Sequence, residues 1–461
     1  MSPAEVWSSL LREDVELTEG YWLELARRMS GAHLRFGDRL SCPFLRPLFM
    51  SVEDEARQRR SCEVLAAIGE RMARDAPHDR LLLDAFGLSE DERRLVAIDP
   101  GYEWASTASR VDSFLLPDSL KFAEYNAESP AGLGYTERLA GVFDALPVMD
   151  RFRAYFDVWT YPLMDTMLEA LLASYRDWGG TANPPRMVIT DFREVPTWSE
   201  FEILADHFTE HGVPTVICDP RDLEISGERL IAHGAPVDLV YRRLLVNDII
   251  NRPNDVRVLV DAYTRRLACV ANTFRCKIPH RKTFFAVLTD ERHGSLFSSA
   301  EHAVIAAHVP WTRVVEDRHT TAPDGATVDL LSLVRKSQQA LVLKPADDYG
   351  GHGVTLGWEV DATTWDTTLQ AAVSAAPGSW IVQQRIPVSR ERFPVVERDP
   401  HRVVQRDMLV DCAPYLFRGK VSGFLTRLSA TGLANVTSGG GQVPVFRVAP
   451  VRAQYGIPAT G

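Results

Sequence analysis

Cysteine is scarce and scattered: six thiols in 461 residues, Cys42, Cys62, Cys218, Cys269, Cys276 and Cys412. They form no CxxC pair and no zinc-type spacing, so no thiolate metal site is indicated, and most read as small buried hydrophobes; Cys276 and Cys412 lie near residues singled out below, a weak basis for a catalytic thiol. The 12 histidines show no HExxH and no other ligand spacing, which argues against transition-metal chemistry. Basic charge is also short. Lys and Arg total 51 against 62 Asp and Glu, a net charge of −11, whereas nucleic-acid binding needs a basic excess. No apolar run reaches membrane-spanning length, and "MSPAEVWSSLLREDVELTEG" lacks a basic segment followed by a greasy core. A cytoplasmic protein without membrane or nucleic-acid partners is expected. There is no GxGxxG, no GK[ST] loop, no internal repeat and no low-complexity stretch.

What is present is an ordinary globular composition, 45% hydrophobic and 25% charged, long enough for two or three domains. Residues 1–100 read as mainly helical. Ser51 is a plausible N-cap with acids following it, and Val64, Leu65, Ile68 and Met72 recur as a helical stripe. Residues 101–179 open with two short strands, within "SRVDSFLLP" and "KFAEYNAESPAG", and continue into connecting helices. Residues 180–275 alternate apolar strands ("RMVITDF", "PTVICD", "VDLVYRR") with a helix through "SEFEILADHFTEHG", the pattern of a small Rossmann-like parallel sheet. Residues 276–461 mix strands and helices. The fold class is α/β (α+β).

Chemistry concentrates in a few stretches. Pro117-Asp118-Ser119 is turn chemistry, so 108–127 reads as a hairpin. With the turn centred on Asp118, Asp112 faces Glu124 and Arg110 faces Asn126, all on one side. Two opposed carboxylates repel unless a cation lies between them, and an oxygen-only set suits a hard ion such as Mg2+. A solvated face on which Arg110 or Lys121 pairs with the acids fits the same residues. In "LVLKPADDYGGHGVTLG" a strand delivers Lys344, acids follow, and Gly350, Gly351 and Gly353 can let backbone N–H groups wrap an anion. Gly-rich hairpins are also common for structural reasons alone. Lys282 opens an apolar segment, and "WIVQQRIP" is a strand whose Gln383, Gln384 and backbone could meet an adenine edge. In "LTRLSATGLANVTSGGGQVPVF", Arg427 and Asn435 precede a Gly439–Gly441 run that implies a close backbone approach or a lid.

Taken jointly these stretches resemble the circularly permuted ATP-grasp ligases, the group that includes glutathionylspermidine synthetase and eukaryotic glutathione synthetase. The resemblance rests on R-x-D at Arg110 and Asp112, E-x-N at Glu124 and Asn126 twelve residues after the Asp, Lys282, the Lys344 glycine loop, "IVQQ" and the GGG segment. The E-x-N precedes the lysines, as permutation requires. The resemblance implies a permuted ATP-grasp fold with a Rossmann-like substrate domain and a helical N-terminal region. It implies ATP and Mg2+ as cofactors, with the metal held by Asp112, Glu124, Asn126 and Asp348, Asp347 being equally within reach. Lys282, Lys344 and the Gly350–Gly353 loop would hold phosphates, Gln383 and Gln384 adenine, and Arg110 and Arg427 the reacting groups. Glu128, Ser129 and Gly440 would face the substrates, a small-molecule carboxylate and an amine; a homodimer is allowed. Arg242 and Arg243 in "VYRR" could bind a substrate carboxylate bidentately, and one of them fits equally as a structural ion-pair partner. The activity implied is amide formation through an acyl-phosphate on an amino acid or small peptide-like substrate. A phosphotransferase or ATPase, and a catalytically silent nucleotide-binding protein, share the same motifs.

Overall fold

The computed structural model describes residues 1–12, 15–32, 34–36, 39–348, 351–398, 401–430 and 440–451. Gly350, Asn435 and Gly439, singled out above, lie outside the described residues.

The N-terminal hundred residues are helical for local reasons. Ser51 caps helix Val52–Asp75, its Oγ accepting the Asp54 N–H at 3.0 Å, and three acids in the first turn complement the helix dipole. Leu65, Ile68 and Met72 are buried along its inner face and Val64 is half-buried. Ser89 and Glu92 form a capping box on helix Glu90–Ala97. This region is not a detached unit. Strand Leu48–Ser51 pairs in parallel with Val445–Pro450, which pairs antiparallel with Phe156–Trp159, so three distant stretches share one small sheet.

Within 180–275 four strands form a parallel sheet in the order Cys269–Ala271, Leu239–Arg242, Met187–Thr190, Thr215–Cys218. The two central strands are buried along their whole length, as expected when both faces are covered. Helix Trp198–Glu210 makes the crossover between Met187–Thr190 and Thr215–Cys218. Numbered along the chain the four strands lie in the order 2-1-3-4, with a small antiparallel meander over 224–237 added before the third strand.

Two antiparallel sheets make the rest of the core. One runs Gly441–Val443, Lys420–Ser429, His401–Phe417, Ala108–Leu115, Leu120–Asn126, with Arg390–Arg398 paired along the first half of the long strand. The other runs Thr312–Val314, Trp380–Gln384, Leu341–Pro345, Thr355–Leu356. The early hairpin and the C-terminal strands are therefore parts of one sheet, although some 300 residues separate them in sequence. Gly441 opens its strand against the segment 41–44: a Cβ there would meet Phe44 Cε2 and Pro43 Cδ at 2.9 Å, so this glycine is a close backbone approach. Among the described residues no helix is long and apolar enough to cross a membrane.

Candidate active site

The hairpin has the pairing that the spacing predicts, by an unexpected route. Arg110 lies opposite Asn126 and Asp112 opposite Glu124. Nearer the turn, however, Leu115 faces Leu120 and Ser113 faces Phe122, a register half a residue short of a turn centred on Asp118. A one-residue bulge at Ala123 makes up the difference. The bulge also keeps Phe122 and Tyr125 buried on one face while Glu124 and Asn126, half-buried, share the other.

On that face lies a cleft between the two antiparallel sheets. Asp112, Phe114, Ala123, Glu124, Asp411 and Arg427 line one wall. Lys282, Val342, Lys344, Asp348, Gly351, Leu356, Gln383 and Gln384 line the other, with Trp358, Ile386 and Val388 making an apolar end. The cleft encloses about 1090 Å³ counting the space continuous with solvent. Lys282 Nζ bridges the walls, 2.5 Å from the Asp348 carbonyl oxygen and 3.7 Å from Glu124 Oε2.

Asp112 is the most heavily engaged carboxylate. Arg110 donates to it through Nε at 2.8 Å, and Arg427 Nη2 lies 2.5 Å from its Oδ2. Burial alone would raise this carboxyl, but Arg110 and then Arg427 override it and hold it well below the usual range. Arg427 also binds Asp411 through Nε at 2.6 Å, while Asp411 Oδ1 is buried with no hydrogen-bond partner. Burial raises the Asp411 carboxyl to about 6, Arg427 opposing and Asp112 reinforcing the shift. Lys344 donates to Gln383 Oε1 at 2.6 Å. Burial is the leading influence on its ammonium and, with Lys282 as a like charge, brings it down to about 8 against the pull of Glu124 and Asp112.

Oxygen donors on facing walls, a buried carboxylate oxygen without a partner and three cations fit a hard divalent ion with a polyphosphate. Asp112, Glu124, Asp348 and Asp411 are the residues that could hold the ion. The two neighbouring aspartates differ in their surroundings. Asp347 is engaged by Lys277, 2.7 Å from its Nζ, and by Arg281 at 3.5 Å, and does not line the cleft, whereas Asp348 does.

Several expected site residues stand elsewhere. Arg110 sits behind Asp112 rather than on the cleft wall, its Nη1 donating to the Ala131 carbonyl at 3.0 Å. Asn126 is also set back and donates to Glu124 Oε1 at 3.2 Å. Gln383 reaches the cleft, but both ends of its amide are committed, to Lys344 and to Thr312 Oγ1 at 3.1 Å. Gln384 is exposed on the cleft wall, but its N–H and that of Arg385 already donate to the Trp311 and Ala340 carbonyls. Arg385 instead lies over the Trp358 ring, 4.3 Å from its centroid, at the apolar end. Gly353 shapes the loop without lining the cleft. Its φ is +68°, and a Cβ there would stand 2.7 Å from Pro345 Cγ, which leaves room for glycine alone. Gly440 is buried beside the strand start at Gly441.

The remaining expected substrate residues do not line the cleft and belong to a second polar cluster behind its Asp347–Asp348 loop. Arg242 is fully buried and donates to the carbonyls of Asn272, Leu244 and Thr273 and to Cys276 Sγ. It holds backbone and offers no face to a ligand. Arg243 donates to the Pro130 carbonyl at 3.0 Å and lies 3.7 Å from Glu200. Glu128, also fully buried, accepts the Val246 N–H at 2.7 Å and lies 3.1 Å from Lys277 Nζ. Ser129 Oγ is buried without a hydrogen-bond partner. All six cysteines are free and buried, and burial pushes the Cys276 and Cys412 thiols up to about 12, which removes a thiolate nucleophile near the site.

No protein-family model matches the chain, and no curated protein matches it. Among solved structures it is similar to a glutathione synthetase-like effector from Globodera pallida in its apo form, at 12% identity and a TM-score of 0.62, over 94% of this chain and 98% of that one. A provisionally named gamma-glutamylcysteine synthetase from Methylobacillus flagellatus covers 80% of this chain and 82% of its own at 11% identity, but its TM-score of 0.37 carries no argument. The first likeness runs nearly end to end and shows a shared mixed α and β fold.

Proposed function

We propose that this chain is an ATP- and magnesium-dependent ligase that joins a carboxylate to an amine through an acyl-phosphate, on a circularly permuted ATP-grasp arrangement. One observation carries the proposal: Lys282, at the start of helix Thr283–Thr289, and Lys344, on a strand of one sheet, face Asp112, Glu124 and Arg427 of the other sheet across a single cleft. The end-to-end fold likeness to a glutathione synthetase-like protein supports it.

A carboxylate resists amines because its leaving group would be oxide, and phosphorylation supplies a better one. Phosphoryl transfer asks a protein chiefly for positioning and charge neutralisation. Lys282 and Lys344 bind the polyphosphate, and Lys282 also fixes the loop at Asp348 through its carbonyl. Arg427, tied to Asp112 and Asp411, presents a guanidinium at the wall where negative charge develops. Arg110 acts as a positioning residue by orienting Asp112. Asp112, Glu124, Asp348 and Asp411 would hold magnesium, which when bound neutralises phosphate charge. Trp358 and Arg385, with Ile386 and Val388, form the apolar seat for the base. The turn around Gly351 and Gly353 screens the reacting phosphate from water.

The test is to supply the full chain with ATP, Mg2+ and a panel of amino acids and short peptides, measuring ADP and weighing products by mass spectrometry. ADP release that needs both a carboxylate and an amine, with a product of the summed mass less water, is expected. AMP release would contradict acyl-phosphate chemistry. ADP release without a joined product would point to a phosphotransferase or ATPase.

A further inference from the structure

A second cluster of ligating side chains lies well apart in the sequence from the cleft residues. Asp165 stands in the first turn of helix Leu163–Asp177, and His207 and His211 stand at the end of helix Trp198–Glu210. The H-x3-H spacing puts both imidazoles on one face of the second helix, and their rings stack with centroids 4.1 Å apart. Both aim at one carboxylate oxygen. His207 Nε2 is 2.7 Å from Asp165 Oδ1 and His211 Nε2 is 3.6 Å from it, and one ligand atom from each residue lies within 4.8 Å of the others.

From these contacts we infer that Asp165, His207 and His211 form a binding site for a borderline-soft divalent cation of the zinc type, which clamps the crossover helix of the parallel sheet to the neighbouring helix. Three features beyond the cluster itself support the assignment. First, His211 Nδ1 is 2.7 Å from the His207 carbonyl oxygen, to which it donates; this fixes the tautomer and leaves the Nε2 lone pair directed at the site, as outer-shell bonds do for metal-bound imidazoles. Second, ligand bonds of about 2.0–2.2 Å place tetrahedral donor atoms roughly 3.3 Å apart, a spacing that the observed 2.7 and 3.6 Å bracket. Third, the site lies at a helix C-terminus, where the backbone carbonyls favour a cation.

A two-imidazole, one-carboxylate set discriminates against magnesium and calcium, which prefer oxygen alone. Asp165 and His211 are about half exposed, so the open coordination side faces water and the ion can enter without unfolding. The clamp bears on a helix that is already keyed into the core. Glu200, near its start, accepts the Gly134 N–H at 3.1 Å and lies 3.7 Å from Arg243. Holding the other end restrains the whole crossover. The site is independent of the cleft, and its test uses no nucleotide.

The test is calorimetric titration of metal-free full-length chain, without a histidine tag, with zinc chloride. Wild type is expected to bind one zinc with micromolar or tighter affinity and to gain thermal stability from it. H211A, an exposed substitution that leaves the helix intact, should lose affinity at least about tenfold, since even outer-shell changes cost 10–100-fold, and should lose the zinc-dependent rise in melting temperature. D165N should behave likewise, H233A should match wild type, and millimolar magnesium should not compete. Zinc binding equally tight in wild type and H211A, or none at micromolar concentration in wild type, would overturn the assignment.

Discussion

Lys277 lies behind the cleft loop with its side chain 1% exposed, and its ammonium is the hub of the second polar cluster. It sits 2.7 Å from Asp347, 3.1 Å from Glu128 and 3.1 Å from Asn247 Oδ1, joining the loop after Lys344, the end of the hairpin and the parallel-sheet unit. Lys277→Met keeps most of the stem volume and removes the charge. Removing one partner of a buried ion pair typically costs about 3–5 kcal/mol, because the other charge stays buried without compensation. Here the abandoned carboxylates keep weaker support, Arg281 at 3.5 Å from Asp347 and Arg242 at 3.7 Å from Glu128, which places the expected loss near the lower end, about 3 kcal/mol. Urea unfolding followed by tryptophan fluorescence, with its midpoint and slope, measures it. The sign with pH is also fixed. In wild type, burial would raise Glu128, but Lys277 and its neighbours hold it below its ordinary value. In the variant that support is gone and its folded pKa rises above the unfolded one, so the gap to wild type should narrow as pH falls through the raised value. Lys277→Met/Asp347→Asn should recover part of the loss by removing a stranded charge. A loss below about 1 kcal/mol at neutral pH would refute the view that this buried cation joins the three units.

Three further outcomes are expected. Because Lys344 is brought down to about 8, ATP affinity should fall as pH rises through that value, and binding above it should take up a proton, read from the buffer dependence of the calorimetric enthalpy; Lys344→Met should abolish both effects. In the free protein the same shift means that a desolvation penalty present below about 8 is relieved between there and the unfolded value of 10.5, so Lys344→Met should stabilise the fold at neutral pH and lose that advantage in alkali. Gly353→Ala should destabilise the fold by about 1–2 kcal/mol, the usual penalty for a side chain in the left-handed region, and by more if Pro345, whose Cγ stands 2.7 Å from the new Cβ, cannot move; urea midpoints decide it.

Local rules made much of this structure legible in the sequence. The Ser51 cap, the acids after it and the 3.6-residue stripe give one helix, and the buried runs "MVIT" and "LVYR" give the central parallel strands. The facing of Asp112 and Glu124 was also legible, although the turn and the Ala123 bulge each depart by half a residue and one residue from the simple picture and cancel. What was not legible required long-range pairing. Asp411 reads in sequence as one acid in an apolar strand, "MLVDCAPYLF", and becomes a cleft residue only because His401–Phe417 lies beside Ala108–Leu115. Arg242, Arg243 and Glu128 look like ligand groups because charged residues beside apolar strands usually face solvent or substrate; here they lie in the interior, the arginines donating to backbone carbonyls and Glu128 accepting a backbone N–H, with Glu128 Oε1 and Arg243 Nε left without a hydrogen-bond partner. The H-x3-H spacing of His207 and His211 stands in the sequence as "HFTEH", against the expectation of no ligand spacing; only its third member, Asp165 on another helix, required the fold.

The most direct test of the central claim is equilibrium binding of ATP to the full chain, with and without magnesium, for wild type, Lys344→Ala and Glu124→Gln. One site per chain is predicted, weakened at least tenfold by Lys344→Ala, with a magnesium dependence that Glu124→Gln removes while its urea midpoint stays at the wild-type value. Binding that ignores both substitutions, or no binding by the wild type, would contradict the assignment of the cleft between the two antiparallel sheets.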